Sequence, residues 1–276
     1  DFSNPIYRYI RLFWRMIIFS YRAQKKISLS LFLSFFHAFK LYFNDRFKPR
    51  DAYLLGFLSK GFVYVSHKKY ISKNKMAAIQ HKVNPGSWEL LTEDKGIFYQ
   101  ICEKSNIPTP RLYGLMFKTT PGWSFLGSKT IDKKDWNDFL INILPDEFVV
   151  KPARGAYGEK IKIFKRSGNT FIDEKKDMVR PWDMYDLMVN DPVYDCFIIQ
   201  ERLFNHPDLV NLSGSEFLQT IRMISHISKD GDVKIVDAFL KPIVGSNFTD
   251  NHDHGKTGNL LTRIDMDTGL LQPAIF

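Results

Sequence analysis

Apolar positions recur at two different intervals along this chain, and the change divides it. Up to about residue 60 they return every three or four places. Leu31, Phe35, Phe39 and Tyr42 mark one helical stripe, and an earlier helix sets Phe13 and Ile17 opposite Arg8, Arg11, Arg15 and Arg22. "FKPRDAYLLGFLSKGF" (47–62) predicts a turn and a further short helix. After a loop at Asn84-Pro85-Gly86, "WELLTEDKGIFYQICEKS" (88–105) is helical again, with Thr92 and Asp94 near a cap. The prolines of "NIPTPRLYGLM" exclude helix and lead into a strand. "SKTIDKKDWNDFLINIL" reads as a helix on the surface. From 147 onward strands and turns alternate, with strands expected near 147–151, 161–165, 197–201, 220–228 and 233–241. Asp230-Gly231 marks a hairpin between the last two. The expected fold class is α+β, with no internal repeat and no low-complexity segment.

Composition adds bounds. The chain has 276 residues, 44% of them hydrophobic and 25% charged, enough for one large domain or two to three small ones. Its net charge of +9 favours phosphate-bearing or other anionic partners without choosing among them. The four arginines of the first helix fit either an anionic membrane surface or a helix packed on the body with its charges in water. Cys102 and Cys196 have no metal or redox spacing, which points to a reducing, cytoplasmic compartment. The best apolar runs, 9–19 and 27–43, are interrupted by Arg11, Arg15, His37 and Lys40, so no membrane-spanning helix is expected.

The candidate chemistry starts at "FVVKPARGAYGEKIKIF" (148–164). Lys151 ends an apolar run and precedes a turn containing Gly155 and Gly158. A lysine held at a strand end can meet an anion, and glycines let backbone N–H groups approach a phosphate with no Cβ in the way. The pattern is not a P-loop, because the glycine–lysine–serine order and its helix are absent. Taken alone, it fits a solvated strand-end lysine beside an ordinary hairpin better. His252, Asp253 and His254 are adjacent, point different ways and have no fourth ligand nearby, so a solvated loop is expected there rather than zinc.

The order of motifs is more specific. "EDKGIFYQICEKSNIPTPRLYG", the 148–164 stretch, "FIIQERLFNHPDL", "LQTIRMISHI", "VDAFLKPIVG" and "TDNHDHGKTGNLLTRIDMDTGLL" together resemble the ATP-grasp superfamily, from about residue 85 to 276. The likeness is to its branch associated with sugar transfer and related to glutamate ligases. It implies two α+β subdomains, 81–146 and 147–276, that clamp ATP behind an N-terminal helical region, 1–80. Lys95 and Lys151 would reach the ATP phosphates, and Gly155, Tyr157 and Gly158 would lie in the lid over them. Gln200, Glu201 and Leu203 would hold the adenine edge. Arg222, Lys241 and Asn251 would serve the chemistry. Many relatives hold magnesium with an aspartate and a later Glu-x-Asn; no Glu-x-Asn follows residue 250 here. Either the second subdomain is shortened at its C-terminal end, or other groups such as Asp237, Asp250 and Asn251 hold the metal.

The reaction so implied joins a carboxylate to an amine through an acyl phosphate, with a sugar or glycan precursor of surface polysaccharide as the substrate and an amino acid or amine as its partner. A nucleic-acid partner is not expected. Two other readings remain: an ATP-grasp kinase acting on a hydroxyl, and a non-enzymatic adaptor at the inner face of a membrane with a degenerate nucleotide site.

Overall fold

The computed structural model describes residues 5–27, 30–58, 69–84, 86–119 and 121–274; Pro85 and 59–62 of the segments above lie outside them. Two compact units form, residues 1–89 and 90–276.

In the first unit the helical periodicity gives α1 (Pro5–Ile27), α2 (Leu31–Asp45), α3 (Pro49–Leu54) and α4 (Lys73–Val83). Met16, Ser20 and Ala23 of α1 and Ser34, Ala38 and Leu41 of α2 are buried. Their spacing of three and four residues makes one stripe per helix, and their mostly small side chains let the backbones approach. Met16, Ala38 and Leu41 join Phe47, Phe57 and Leu58 in one core.

The helix expected over 88–105 is two helices, α5 (Glu89–Glu93) and α6 (Lys95–Lys104). Asp94 separates them. Its carboxylate accepts from the N–H groups of Gly96 (2.9 Å) and Ile97 (3.2 Å), so it caps a new helix rather than continuing the old one.

One antiparallel sheet organises the second unit. Its strands are β1 (Leu112–Phe117), β2 (Gly122–Ser124), β3 (Lys129–Ile131), β4 (Glu147–Pro152), β5 (Lys162–Ser167), β6 (Thr170–Ile172), β7 (Met178–Val179) and β8 (Cys196–Glu201), in the order β3-β2-β1-β8-β4-β5-β6-β7. β8 sits inside the sheet, paired with β1 and β4, and its Phe197-Ile198-Ile199 run is fully buried. The register pairs Val150 with Ile199 and Phe148 with Phe164 on one face; these four residues belong to the core. On the other face it pairs Val149 with Gln200 and Lys151 with Ile198. A two-residue period therefore puts Lys151 and Gln200 together, away from the core.

The surface helix expected over 128–144 is not present. That stretch supplies β3, then the short α7 (Trp136–Asp138) and a π-helical turn (Phe139–Ile143). Trp136, Phe139 and Leu140 are completely buried under the sheet, and the Trp136 indole N–H donates to the carbonyl of Pro181 (2.7 Å). The charges at Lys133, Lys134 and Asp138 belong to the outer side of the segment. Its apolar residues at spacings of three and four are core.

The chain continues through α8 (Pro181–Val189), α9 (Pro207–Ser213), β9 (Thr220–Ile227), β10 (Val233–Lys241) and β11 (Thr262–Arg263). The last three strands form a second sheet in the order β11-β10-β9, and the Asp230-Gly231 hairpin falls between β9 and β10 as expected.

Candidate active site

Lys151 leaves β4 on the face opposite the core and donates to the Tyr99 oxygen (3.2 Å). Its ammonium also lies 5.5 Å from the Tyr99 ring centroid. The Tyr99 hydroxyl in turn donates to Oε1 of Gln200 (3.1 Å). Burial, and next the charge of Lys95, lower the Lys151 pKa to about 8. Lys95 opens α6, and Asp94 caps that helix just before it. Its ammonium donates to the carbonyls of Gly155 (2.6 Å) and Ala153 (3.3 Å), and burial lowers its pKa too. Two partly desolvated cations thus face one region from opposite elements. Two such charges repel each other and favour a multivalent anion between them.

Beside them lies a cavity of about 220 Å³, lined by Val149, Lys151, Ile163, Gln200, Leu203 and Phe217 among others. Its mix of apolar walls and a few polar groups is that of a small-molecule ligand site. Within it the backbones of Gln200 and Glu201 are engaged in the ladders of β8, and the Glu201 carboxylate accepts from the Arg111 N–H (3.0 Å). The backbone that leaves the sheet for the cavity is that of Arg202 and Leu203.

The loop after β4 borders this region, through the Gly155 carbonyl that meets Lys95 and through Ile161 at the cavity wall. Tyr157 (φ 56°), Gly158 (φ 79°) and Lys160 (φ 54°) are all left-handed, a conformation only glycine takes at no cost. Contacts from other elements hold it. Tyr194 donates to Glu159 (2.5 Å), Lys160 pairs with Asp191 (3.2 Å), and the Asn251 amide donates to the Tyr157 carbonyl (2.7 Å). A Cβ on Gly158 would lie 3.2 Å from Thr249 Oγ1, so the loop rests directly on the 249–251 segment.

A second, larger cavity adjoins that segment, lined by Tyr157, Gly158, Arg222, Lys241, Asn251 and His252 among others. Ile161, Thr249 and Asp250 line both cavities. Every candidate residue except Lys95 and Gly155 therefore lines one of two adjoining spaces, and those two meet each other at the base of the loop.

The family model described as sugar-transfer associated ATP-grasp matches residues 74–276. The chain belongs to this ATP-grasp family. No curated protein and no solved structure matches it.

Arg222, Asp250 and Asn251 have surroundings that the family resemblance does not specify. All eight residues of β9 are exposed, and Arg222 stands in water at the cavity wall. Asp250 and Asn251 do not fit magnesium. The Asp250 carboxylate pairs with Lys241 (2.9 Å) and accepts from the Thr220 hydroxyl, and an ammonium so close opposes a divalent cation. Asn251 uses its amide on Tyr157, and its Oδ1 accepts from the Asp253 N–H (3.3 Å). Among the described residues no three metal-binding side chains gather anywhere. The His254 side chain lies outside them.

Tyr99 escaped the sequence reading, although it follows Lys95 by four positions and so shares its helix face. Glu159, Tyr194, Lys160 and Asp191 carried no local signal. Asn251 takes a role the family likeness did not suggest, as an anchor for the loop after β4. Asn251→Ala is expected to weaken ATP binding about two- to tenfold, the worth of one hydrogen bond. It should also speed amide exchange across 156–160. Unchanged exchange there would remove Asn251 as the anchor.

Proposed function

We propose that this protein is an ATP-dependent carboxylate–amine ligase acting in the cytoplasm on a sugar or glycan precursor of surface polysaccharide. The observation that supports it is the pair of cavities sharing Ile161, Thr249 and Asp250, one beside Lys151 and the other beside Arg222.

ATP lies in the first cavity with its phosphates against Lys95 and Lys151, so that Lys95 exchanges loop carbonyls for phosphate oxygens. The acceptor lies in the second. A carboxylate oxygen attacks the γ-phosphorus, the bond to the β–γ bridging oxygen breaks, and ADP leaves. The amine then attacks the acyl carbon, the bond to phosphate breaks, and the amine proton is lost as the amide forms. Arg222 answers the charge that builds on the transferring group, and Lys241 adds a cation held in place by Asp250. The lid excludes water, which would otherwise hydrolyse the acyl phosphate.

The test supplies 18O-labelled carboxylate candidates, amines and ATP to the purified chain. Phosphate carrying 18O, released only when both acceptors are present, supports the ligase. ADP formed with a phosphorylated hydroxyl and no free phosphate identifies a kinase. Absence of ATP binding by calorimetry leaves a non-enzymatic adaptor.

A further inference from the structure

We propose that α1 and α2 dock on an anionic lipid bilayer, with aromatic side chains of both helices in the interface and the arginines of α1 at the headgroups. The inference goes beyond the ligase reading and does not depend on it.

α1 has three faces rather than two. Met16, Ser20 and Ala23 are buried. Arg8, Arg11, Arg15 and Arg22 form an exposed basic stripe. Between these lies a third stripe, Ile10, Trp14, Ile18 and Tyr21, spaced by four, four and three and left 43–59% exposed. α2 repeats the exposure with Phe32, Phe36, Phe39 and Phe43, spaced by four, three and four and 45–67% exposed. Phe13 of α1 meets Phe35 of α2 edge-on at 5.3 Å, which joins the two helices beside these stripes. Isolated exposed apolar residues are ordinary, whereas two aromatic helix stripes mark a surface that something covers.

The charge pattern selects the occupant. From residue 5 to 27, α1 carries Arg8, Arg11, Arg15, Arg22, Lys25 and Lys26 and no aspartate or glutamate. A second copy docking on the same face would bring these like charges together. A bilayer with anionic headgroups accepts both parts at once: the apolar stripes enter the acyl boundary, and the arginines meet phosphate. Trp14 and Tyr21 suit that boundary, where one end of a ring is dry and the other wet. No helix among the described residues is long and apolar enough to cross a membrane. At about 1.5 Å per residue, α1 lies along the surface for about 34 Å.

The experiment floats the whole chain with phosphatidylcholine vesicles, with and without phosphatidylglycerol. Flotation is expected only with the anionic lipid and should decline as salt screens the charges over about 8 Å at physiological strength. Converting Phe32, Phe36, Phe39 and Phe43 to serine should weaken partitioning about tenfold, since every position is exposed and the core is untouched. Trp14→Ala provides the same reading should the fourfold variant fail to fold. In the wild type, brominated lipid should quench a fluorescence component that Trp14→Ala lacks. Arg8→Glu with Arg11→Glu and Arg15→Glu should abolish the preference for anionic lipid. No flotation at low salt, or flotation indifferent to the aromatic changes, overturns the proposal. So does a lipid-free dimer that those changes dissolve.

Discussion

Lys151→Ala is expected to weaken ATP binding about ten- to a hundredfold while leaving the fold intact. Lys151 is extensively desolvated, and its ammonium has Tyr99 but no carboxylate beside it among the described residues. A charge-assisted hydrogen bond to phosphate is worth about 1.5–3 kcal/mol, and each 1.4 kcal/mol is about tenfold in Kd. The pH dependence has a definite sign. In the free protein Lys151 loses its proton as pH rises through about 8, whereas a bound phosphate favours the charged form and raises that pKa. Above pH 8 binding therefore takes up a proton, and ATP affinity should fall with each further rise; below it Lys151 is already charged and this dependence vanishes. Calorimetry on wild type and variant either side of that pH checks both parts. A folded variant with wild-type Kd removes Lys151 from the site.

Arg222→Lys is expected to lower turnover by on the order of 10²-fold, as for other lost transition-state donors, with ATP affinity almost unchanged. Two cations line the second cavity at this point, and they are not equivalent. Lys241 is answered by Asp250 at 2.9 Å, so its charge is largely spoken for. Arg222 projects from an exposed edge strand, and its guanidinium has no ion pair or hydrogen bond with another described residue. Its charge is free for a developing anion. Lysine keeps that charge and loses the planar fork that grips two phosphoryl oxygens together. A deficit confined to kcat marks an interaction made in the transition state, and one confined to ATP Kd marks ordinary binding. If neither quantity moves, Arg222 is not part of the chemistry.

What the amino-acid pattern determined by itself is local. Strands near 147–151, 161–165, 197–201, 220–228 and 233–241 correspond to β4, β5, β8, β9 and β10 within a residue or two. Alternation and Asp-Gly turns act between neighbours a few positions apart, so a linear reading can find them. The motif order carried further and reached the family that residues 74–276 match. The same reading failed at 128–144, where charges interleaved with Trp136, Phe139 and Leu140 look like a solvated helix until the sheet claims the apolar side.

The meeting of side chains was decided by tertiary structure. Lys95 reaches the Gly155 carbonyl across 60 positions, Asn251 reaches Tyr157 across 94, and Lys241 meets Asp250 across a loop. Periodicity carries no information about such pairs, because they depend on which strands lie beside β8 and on how the loop after β4 comes to rest on Thr249. Sequence could therefore propose Asp250 and Asn251 as metal ligands from residue type alone. Only the packed chain gives one carboxylate to a lysine and turns the neighbouring amide toward the loop after β4, because a half-buried charge is stabilised by an opposite charge and a carbonyl by a donor.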